Sequence, residues 1–232
     1  SNPGKDQALA EDWIAGSRNF ATKLWNATRF AMMNGATTEG PLPSQSSLSA
    51  IDAWILSRLS ETTTEYTALL ESYEFARACE TIYHFAWDDL CDWYLELSKE
   101  SFASGDAKNS QRVLGYVLDQ LLRLMHPFMP FITEEIYHLI SPKQDDLCNK
   151  IAAPVKKANT EIIAGGNLLK QVISALRDAR NKNQLKPKDT ITLHIQTANT
   201  NTYKAIESIL CKQVNATSIE YTNSSVDNKI GR

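Results

Sequence analysis

Apolar positions along the first 141 residues recur at steps of three and four, the pattern of amphipathic helices. Trp13, Phe20, Leu24, Ala27 and Ala31 share one face of a helix predicted from Asp6 to Asn34, and Gly35 ends it. The loop GATTEGPLPSQSS follows, irregular by its Gly, Pro and Ser content. Ser49, with Asp52 three residues on, resembles a capping box with Asp in place of Glu. It opens a second helix whose apolar face is Ile51, Ile55, Leu59, Tyr66 and Leu70. A third helix is predicted from Glu74 to Phe102 on the stripe Phe75, Ala78, Ile82, Phe85, Leu90, Trp93 and Leu97. A fourth covers Asn109 to His126 through Val113, Val117, Leu121 and Leu124. Pro127 and Pro130 interrupt the pattern, and PFITEEIYHLI starts a fifth helix with Pro130 near its first turn.

The pattern changes after residue 141. Residues 142–167 read as an irregular linker, with two prolines and the pair Gly165-Gly166. Leu168 to Asn183 is helical, with Leu169, Val172, Ile173, Leu176 and Ala179 inward. TITLHIQT alternates at Ile191, Leu193 and Ile195, which predicts a strand. TYKAIESILCKQV is helical through Tyr203, Ile206, Ile209, Leu210 and Val214, and SIEYTN is a second strand. The expected fold is mainly α. An antiparallel helix bundle occupies 1–141, 142–167 is the linker, and a small α/β appendage of α-β-α-β order occupies 168–232. That appendage is too small for a substantial core of its own and is expected to pack on the bundle.

Composition narrows the function classes. The chain has 232 residues, 43% apolar and 22% charged, ordinary for a globular protein. No run of 18 apolar residues occurs, so no membrane span is expected. The opening SNPGKDQALAED has neither a basic n-region nor an apolar h-region, so no secretory signal is expected there. Cys79, Cys91, Cys148 and Cys211 are widely spaced and read as reduced thiols of a cytoplasmic protein. The net charge of −3 hides an asymmetry: residues 1–149 carry 11 Lys/Arg against 21 Asp/Glu, and residues 150–232 carry 13 against 6. Nucleic-acid contact by the first part must therefore be a local patch.

No glycine-rich phosphate loop, H-x-x-x-H pair or G-x-S-x-G occurs. Asp88, Asp92 and Glu96, beside Asp89, share a face at four-residue spacing, but no His joins them and a solvated face accounts for them. His84, His126, His138 and His194 are scattered and read as packing or capping residues. No catalytic residue and no metal site is expected, which points to a binding or positioning module. Its best candidate lies in RNFATKLWNATRF. Asn19, Lys23, Asn26 and Phe30 fall within about 60° of one another on the first helix. Arg18, Trp25 and Arg29 form a second stripe about 100° further round. Amide, ammonium and aromatic ring suit an unstacked RNA base. On spacing alone, a solvated face beside a core-edge Phe is the simpler account.

Four stretches carry a family resemblance. RNFATKLWNATRF, DAWILSRLSE, FAWDDLCDWYLELSK and LLRLMHPFMPFITEEIY resemble segments of valyl-tRNA synthetases, members of the class I aminoacyl-tRNA synthetases. The last motif is shared more widely among class I enzymes for aliphatic amino acids, whereas the first and third are more specific to valine. The resemblance is dense over residues 13–141, weaker through VISALRDARNKN, and thin in the final 40 residues. It implies an anticodon-binding helix bundle of a ligase that joins valine to its tRNA using ATP. The HIGH and KMSKS motifs and an editing domain do not occur here, so this piece alone is expected to be non-catalytic. ATP and magnesium would belong to the parent's catalytic domain, and no cofactor is expected in this piece. No heptads announce the basic coiled-coil arm that ends many bacterial members.

The resemblance also implies site residues. Lys23, Asn26 and Phe30 match the family's anticodon-reading positions, with Asn19, Arg18 and Arg29 beside them. Arg177 and Arg180, with Lys170, Lys182, Lys186 and Lys188 nearby, are candidate contacts to tRNA phosphates; an equal alternative is a helix with solvated basic ends. The implied partners are the tRNA for valine and the catalytic domain of the same polypeptide, with no membrane, as a cytoplasmic monomer. Two other readings stand beside this one: a stand-alone helical interaction or scaffold module, and the equivalent domain of an isoleucine or leucine enzyme.

Overall fold

The structure, a computed structural model, describes residues 11–103, 107–142, 145–153, 157–186, 188–197 and 200–222, without the side chains of 11–14, 202 and 205. The predicted start of the first helix at Asp6 and the side chain of Trp13 lie outside the described residues. Two compact units divide the chain, Ser1–Asn159 and Thr160–Arg232.

The first unit is helical. Its elements are α1 (Glu11–Met33), α2 (Ala50–Glu71), α3 (Phe75–His84), a π-helical segment (Phe85–Tyr94), α4 (Leu95–Ala103), α5 (Lys108–Met125) and α6 (Pro130–Ile140). Phe20, Leu24, Ala27 and Ala31 of α1 are buried as their spacing predicts. Helix α5 is central, because burial goes round most of its circumference: Val113, Leu114, Val117, Leu118, Leu121 and Leu122 are each at most 1% exposed. The loop after α1 lies directly across it. A Cβ on Gly115 would sit 2.0 Å from the Thr37 carbonyl oxygen, so only glycine admits that crossing. Gly35 ends α1 in the left-handed region, at φ 72°.

The Ser49 cap forms as predicted and does more than cap. The Asp52 N–H donates to Ser49 Oγ at 3.1 Å, and Ser49 donates back to the Asp52 carboxylate at 2.7 Å. That carboxylate is 1% exposed and also accepts from Tyr94 at 2.7 Å and Ser110 at 2.8 Å. The start of α2 is thereby tied to the π segment and to α5. Burial and the adjacent Asp52 charge push the Tyr94 hydroxyl well above the ordinary tyrosine pKa.

The single third helix expected over Glu74–Phe102 is instead α3, the π segment and α4 in continuous succession. A π turn bonds i to i+5, so it advances the buried face by one extra residue relative to an α-helix. Phe85 and Leu90, five apart, are both buried. The slip then brings Tyr94 inside at 0% exposure, while the expected Trp93 is only half-buried. Phe75 is 52% exposed and leaves the stripe at its other end. In α2, Leu69 is buried rather than Leu70, and Trp54 joins the core.

The expected linker is fastened down where it is described. Leu147 is buried in a short 3-10 turn, and its N–H donates to Glu134 at 2.7 Å. Ala153 donates to Gln120 Oε1, and Arg123 donates to the Ile151 carbonyl. His138 lies 3.0 Å from Glu134 and 3.3 Å from Asp146, closing the same clasp.

The second unit comprises α7 (Thr160–Lys182), β1 (Ile191–Gln196), α8 (Thr200–Gln213) and β2 (Ala216–Thr222). Helix α7 begins at Thr160, not Leu168, and carries Gly165-Gly166 inside it. Two glycines cost about 2 kcal/mol of helix propensity, and buried Ile163 and Leu169 on either side offset that. Ala179 is exposed, and Arg180 takes the buried position beside it. The strands pair in parallel, with Leu193 opposite Ile219, and α8 is the crossover. Leu193, Ile206, Leu210 and Val214 are buried, at most 8% exposed, so this unit has a small apolar centre after all.

Candidate nucleic-acid interface

Helix α1 presents the predicted stripe in graded exposure. Arg18, Asn19, Asn26 and Arg29 are exposed, and Lys23 and Phe30 are half-buried. The amides of Asn19 and Asn26 and the Arg29 guanidinium have no side-chain partner among the described residues, leaving their hydrogen-bonding capacity toward solvent. Trp25 on the second stripe is 37% exposed. Phe30 meets Phe102 of α4 edge-to-face at 5.7 Å, which fixes the ring while part of it stays accessible.

Lys23 is not a loose cation. Its Nζ lies 2.6 Å from Asp92 Oδ1 and 3.8 Å from the centre of the Trp87 ring. Trp87 is itself held. It stacks on Tyr83 at 5.6 Å with a 23° interplanar angle, and on Phe20 at 6.1 Å and 20°. The face around α1 therefore includes Tyr83, Trp87, Asp92 and Phe102, which sequence reasoning did not place there. The signal available for the first two was the aromatic pair four apart in YHFAW.

The acidic series on the third predicted helix is dispersed into separate pairs. Contrary to expectation a His does join the series: His84, four residues before Asp88, meets it at 2.9 Å, while Asp92 holds Lys23, Glu96 meets Lys99 at 2.6 Å, and buried Asp89 accepts from Arg58 at 2.9 Å. Arg58 also pairs with Glu61. These carboxylates do not converge. The described residues bring three ligand-type side chains together at Glu134, His138 and Asp146, the clasp that secures 145–149 to α6.

The two candidate phosphate contacts on α7 separate. Arg177 is exposed and reaches Gln213 at 3.5 Å. Arg180 is 7% exposed, and its guanidinium donates to the carbonyls of Val214 at 2.8 Å and Lys186 at 2.7 Å, and to that of Asp189. Buried and with three of its five N–H donors on backbone oxygens, Arg180 ties the ends of α7 and α8 to the turn before β1 and is removed from the basic face. Lys182, Lys186 and Lys188 remain exposed.

A helical unit followed by a small α/β unit of order α-β-α-β is the frame in which a class can be named. Residues 52–196 match the family of anticodon-binding domains of tRNA ligases, and the chain belongs to that family. Within it, the chain is 56% identical over 139 residues to a valine–tRNA ligase of Streptomyces coelicolor, and 57% identical over 139 residues to that of Streptomyces avermitilis. It is 49% identical over 144 residues to the valine–tRNA ligase of Mycobacterium tuberculosis strain H37Rv. The first two matches cover 59% of this chain and 16% of the relative, and the third covers 62% and 16%. The chain thus spans about a sixth of the length of the curated relatives it matches. No helix among the described residues is long and apolar enough to cross a membrane.

Proposed function

We propose that this chain is the anticodon-reading module of a valine–tRNA ligase, and that α1 is its reading helix. The carrying observation is the stripe itself. Asn19 and Asn26 stand exposed without side-chain partners among the described residues, beside a fixed Lys23 and a half-buried Phe30. Such a row offers donors, acceptors and a stacking surface to a splayed loop base. In this reading one base stacks on Phe30, Asn26 and Lys23 meet base edges, and Asn19, Arg18 and Arg29 flank them. Arg177 and the exposed lysines after α7 contribute phosphate contacts that add affinity without choice of sequence. Identity near half to valine–tRNA ligases favours valine over isoleucine or leucine.

The reaction itself falls to a catalytic domain of the same polypeptide, which would hold ATP and magnesium. A cytoplasmic monomer is the proposed form. This chain alone is expected to leave valine and tRNA unjoined.

The test titrates valine tRNA and an anticodon-swapped variant against wild type, Lys23→Ala, Asn26→Ala and Phe30→Ala. Binding is expected in the micromolar range or weaker, with each substitution costing about 10-fold on the cognate RNA. Helical signal and melting should stay intact. Equal affinity for both tRNAs, unmoved by the three substitutions at moderate salt, would rule out α1 as the reader.

A further inference from the structure

We propose that Asp92 and Trp87 are positioning residues: together they convert Lys23 from a mobile charge into a directed hydrogen-bond donor for the acceptor edge of an RNA base. The proposal rests on α1 being the reading helix. A lysine ammonium is ordinarily a strongly hydrated point charge on a flexible stem, well suited to phosphate and poorly suited to choosing one acceptor atom. Here its freedom is removed from two sides. Asp92 Oδ1 accepts at 2.6 Å, and the Trp87 ring lies 3.8 Å from Nζ. An ammonium has three N–H donors. One is engaged by Asp92 and the ring covers another side, so the remaining direction points out of the clamp. Lys23 side-chain exposure is 24%, which leaves that outlet open.

The backbone supports the same conclusion independently. Trp87 and Asp92 are five residues apart. On an α-helix that spacing turns through about 140°, and both could not meet one ammonium. Both lie within the π segment Phe85–Tyr94, where residues i and i+5 are successive members of one hydrogen-bonded turn. The widened turn is what brings the ring and the carboxylate onto the same side, facing α1. Trp87 is further fixed by stacking on Tyr83 and Phe20, so the clamp is rigid on its aromatic side.

The electrostatics select the ligand. Asp92 is half-exposed, and Asp88 lies one turn before it, paired with His84. A phosphate approaching Lys23 meets this acidic edge and must displace Asp92. A neutral carbonyl oxygen or ring nitrogen of a base meets no such penalty. Asp92 therefore both aims the lysine and discourages its use on the RNA backbone.

The experiment measures binding of the 232-residue chain to an RNA hairpin bearing the valine anticodon loop and to hairpins with single base changes in that loop. It compares wild type, Asp92→Asn, Trp87→Phe and Lys23→Ala across a salt series. Asp92→Asn changes a half-exposed side chain, so it is the variant least exposed to folding defects. The expected result is that Asp92→Asn and Lys23→Ala both lower discrimination at one loop position by about 5- to 10-fold, with Trp87→Phe between them and wild type. The salt slope of Asp92→Asn should stay at the wild-type value. If Asp92→Asn instead tightens binding to every hairpin alike and steepens the salt dependence by about one ion, Asp92 is only a competitor for a phosphate-binding lysine and the proposal is overturned. Lost discrimination in Lys23→Ala with wild-type discrimination in both clamp variants also overturns it, while leaving α1 as the reader. No discrimination by wild type overturns both.

Discussion

At the scale of single residues, burial separates side chains that the sequence presents as equals. Arg177 and Arg180 sit one turn apart on α7, yet Arg177 faces solvent and Arg180 serves three backbone carbonyls. Arg180→Met should cost about 2–4 kcal/mol in denaturant unfolding, by orphaning those oxygens. It should leave the salt slope of RNA binding unchanged where binding survives. Spacing places both arginines on a basic helix; only the return of the chain at Lys186 and Val214 decides that one points inward. Cys91 yields a pH prediction. Burial pushes its thiol from the ordinary 9.0 up to about 11, with Lys23 pulling it back and Asp92 raising it further. A pKa raised by folding means the contribution is complete below pH 9 and is lost as pH rises toward 11. Stability should fall over that window, and Cys91→Ala should remove about 1–3 kcal/mol of the fall. An unchanged alkaline slope in that variant would count against it.

At the scale of elements, the Ser49–Asp52 pair shows what local pattern reveals and what it hides. The cap is legible because both partners lie within one turn. The hydroxyls of Tyr94 and Ser110, 42 and 58 residues away, are not, because nothing local marks a distant donor as aimed at a given carboxylate. Asp52→Ala should therefore cost more than the roughly 1 kcal/mol of an ordinary cap, about 3 kcal/mol by melting, while Ser49→Ala stays near the cap value. Similar losses for the two would show that the distant hydroxyls contribute little. The same limit applies to the third predicted helix. Its apolar residues are largely the right ones, but a period of 3.6 cannot announce where hydrogen bonding shifts to i+5. Lys23, Asn26 and Phe30 were legible as a stripe, whereas Trp87 and Asp92 required the backbone to be seen.

At the scale of the molecule, charge follows the division into units while the family match runs across it. Residues 1–159 carry 14 Lys/Arg against 21 Asp/Glu, and residues 160–232 carry 10 against 6. The family match over 52–196 includes both α7 and β1. The division itself falls earlier than composition suggests, because Gly165-Gly166 reads as a break yet lies within α7. Long-range attraction to RNA should come from the second unit and choice of bases from α1. Joint Arg177→Gln and Lys182→Gln substitution should weaken cognate and swapped tRNAs equally and lower the salt slope by about one to two. A change in the ratio between the two RNAs would place base reading on α7 as well.

The π segment has a consequence for descent. A widened turn behaves as one residue gained inside a helix, and the chain on both sides has settled around that gain. Buried Phe85, Leu90 and Tyr94 and the pair that grips Lys23 all depend on it. Removing one residue between Phe85 and Tyr94 would restore a regular helix and unseat every one of them at once. What a lineage must transmit there is a count of residues as much as their identities. Aligning relatives should therefore place gaps in the loop between α1 and α2 and none in these ten positions; a relative one residue shorter there that still buries Tyr94 would count against this.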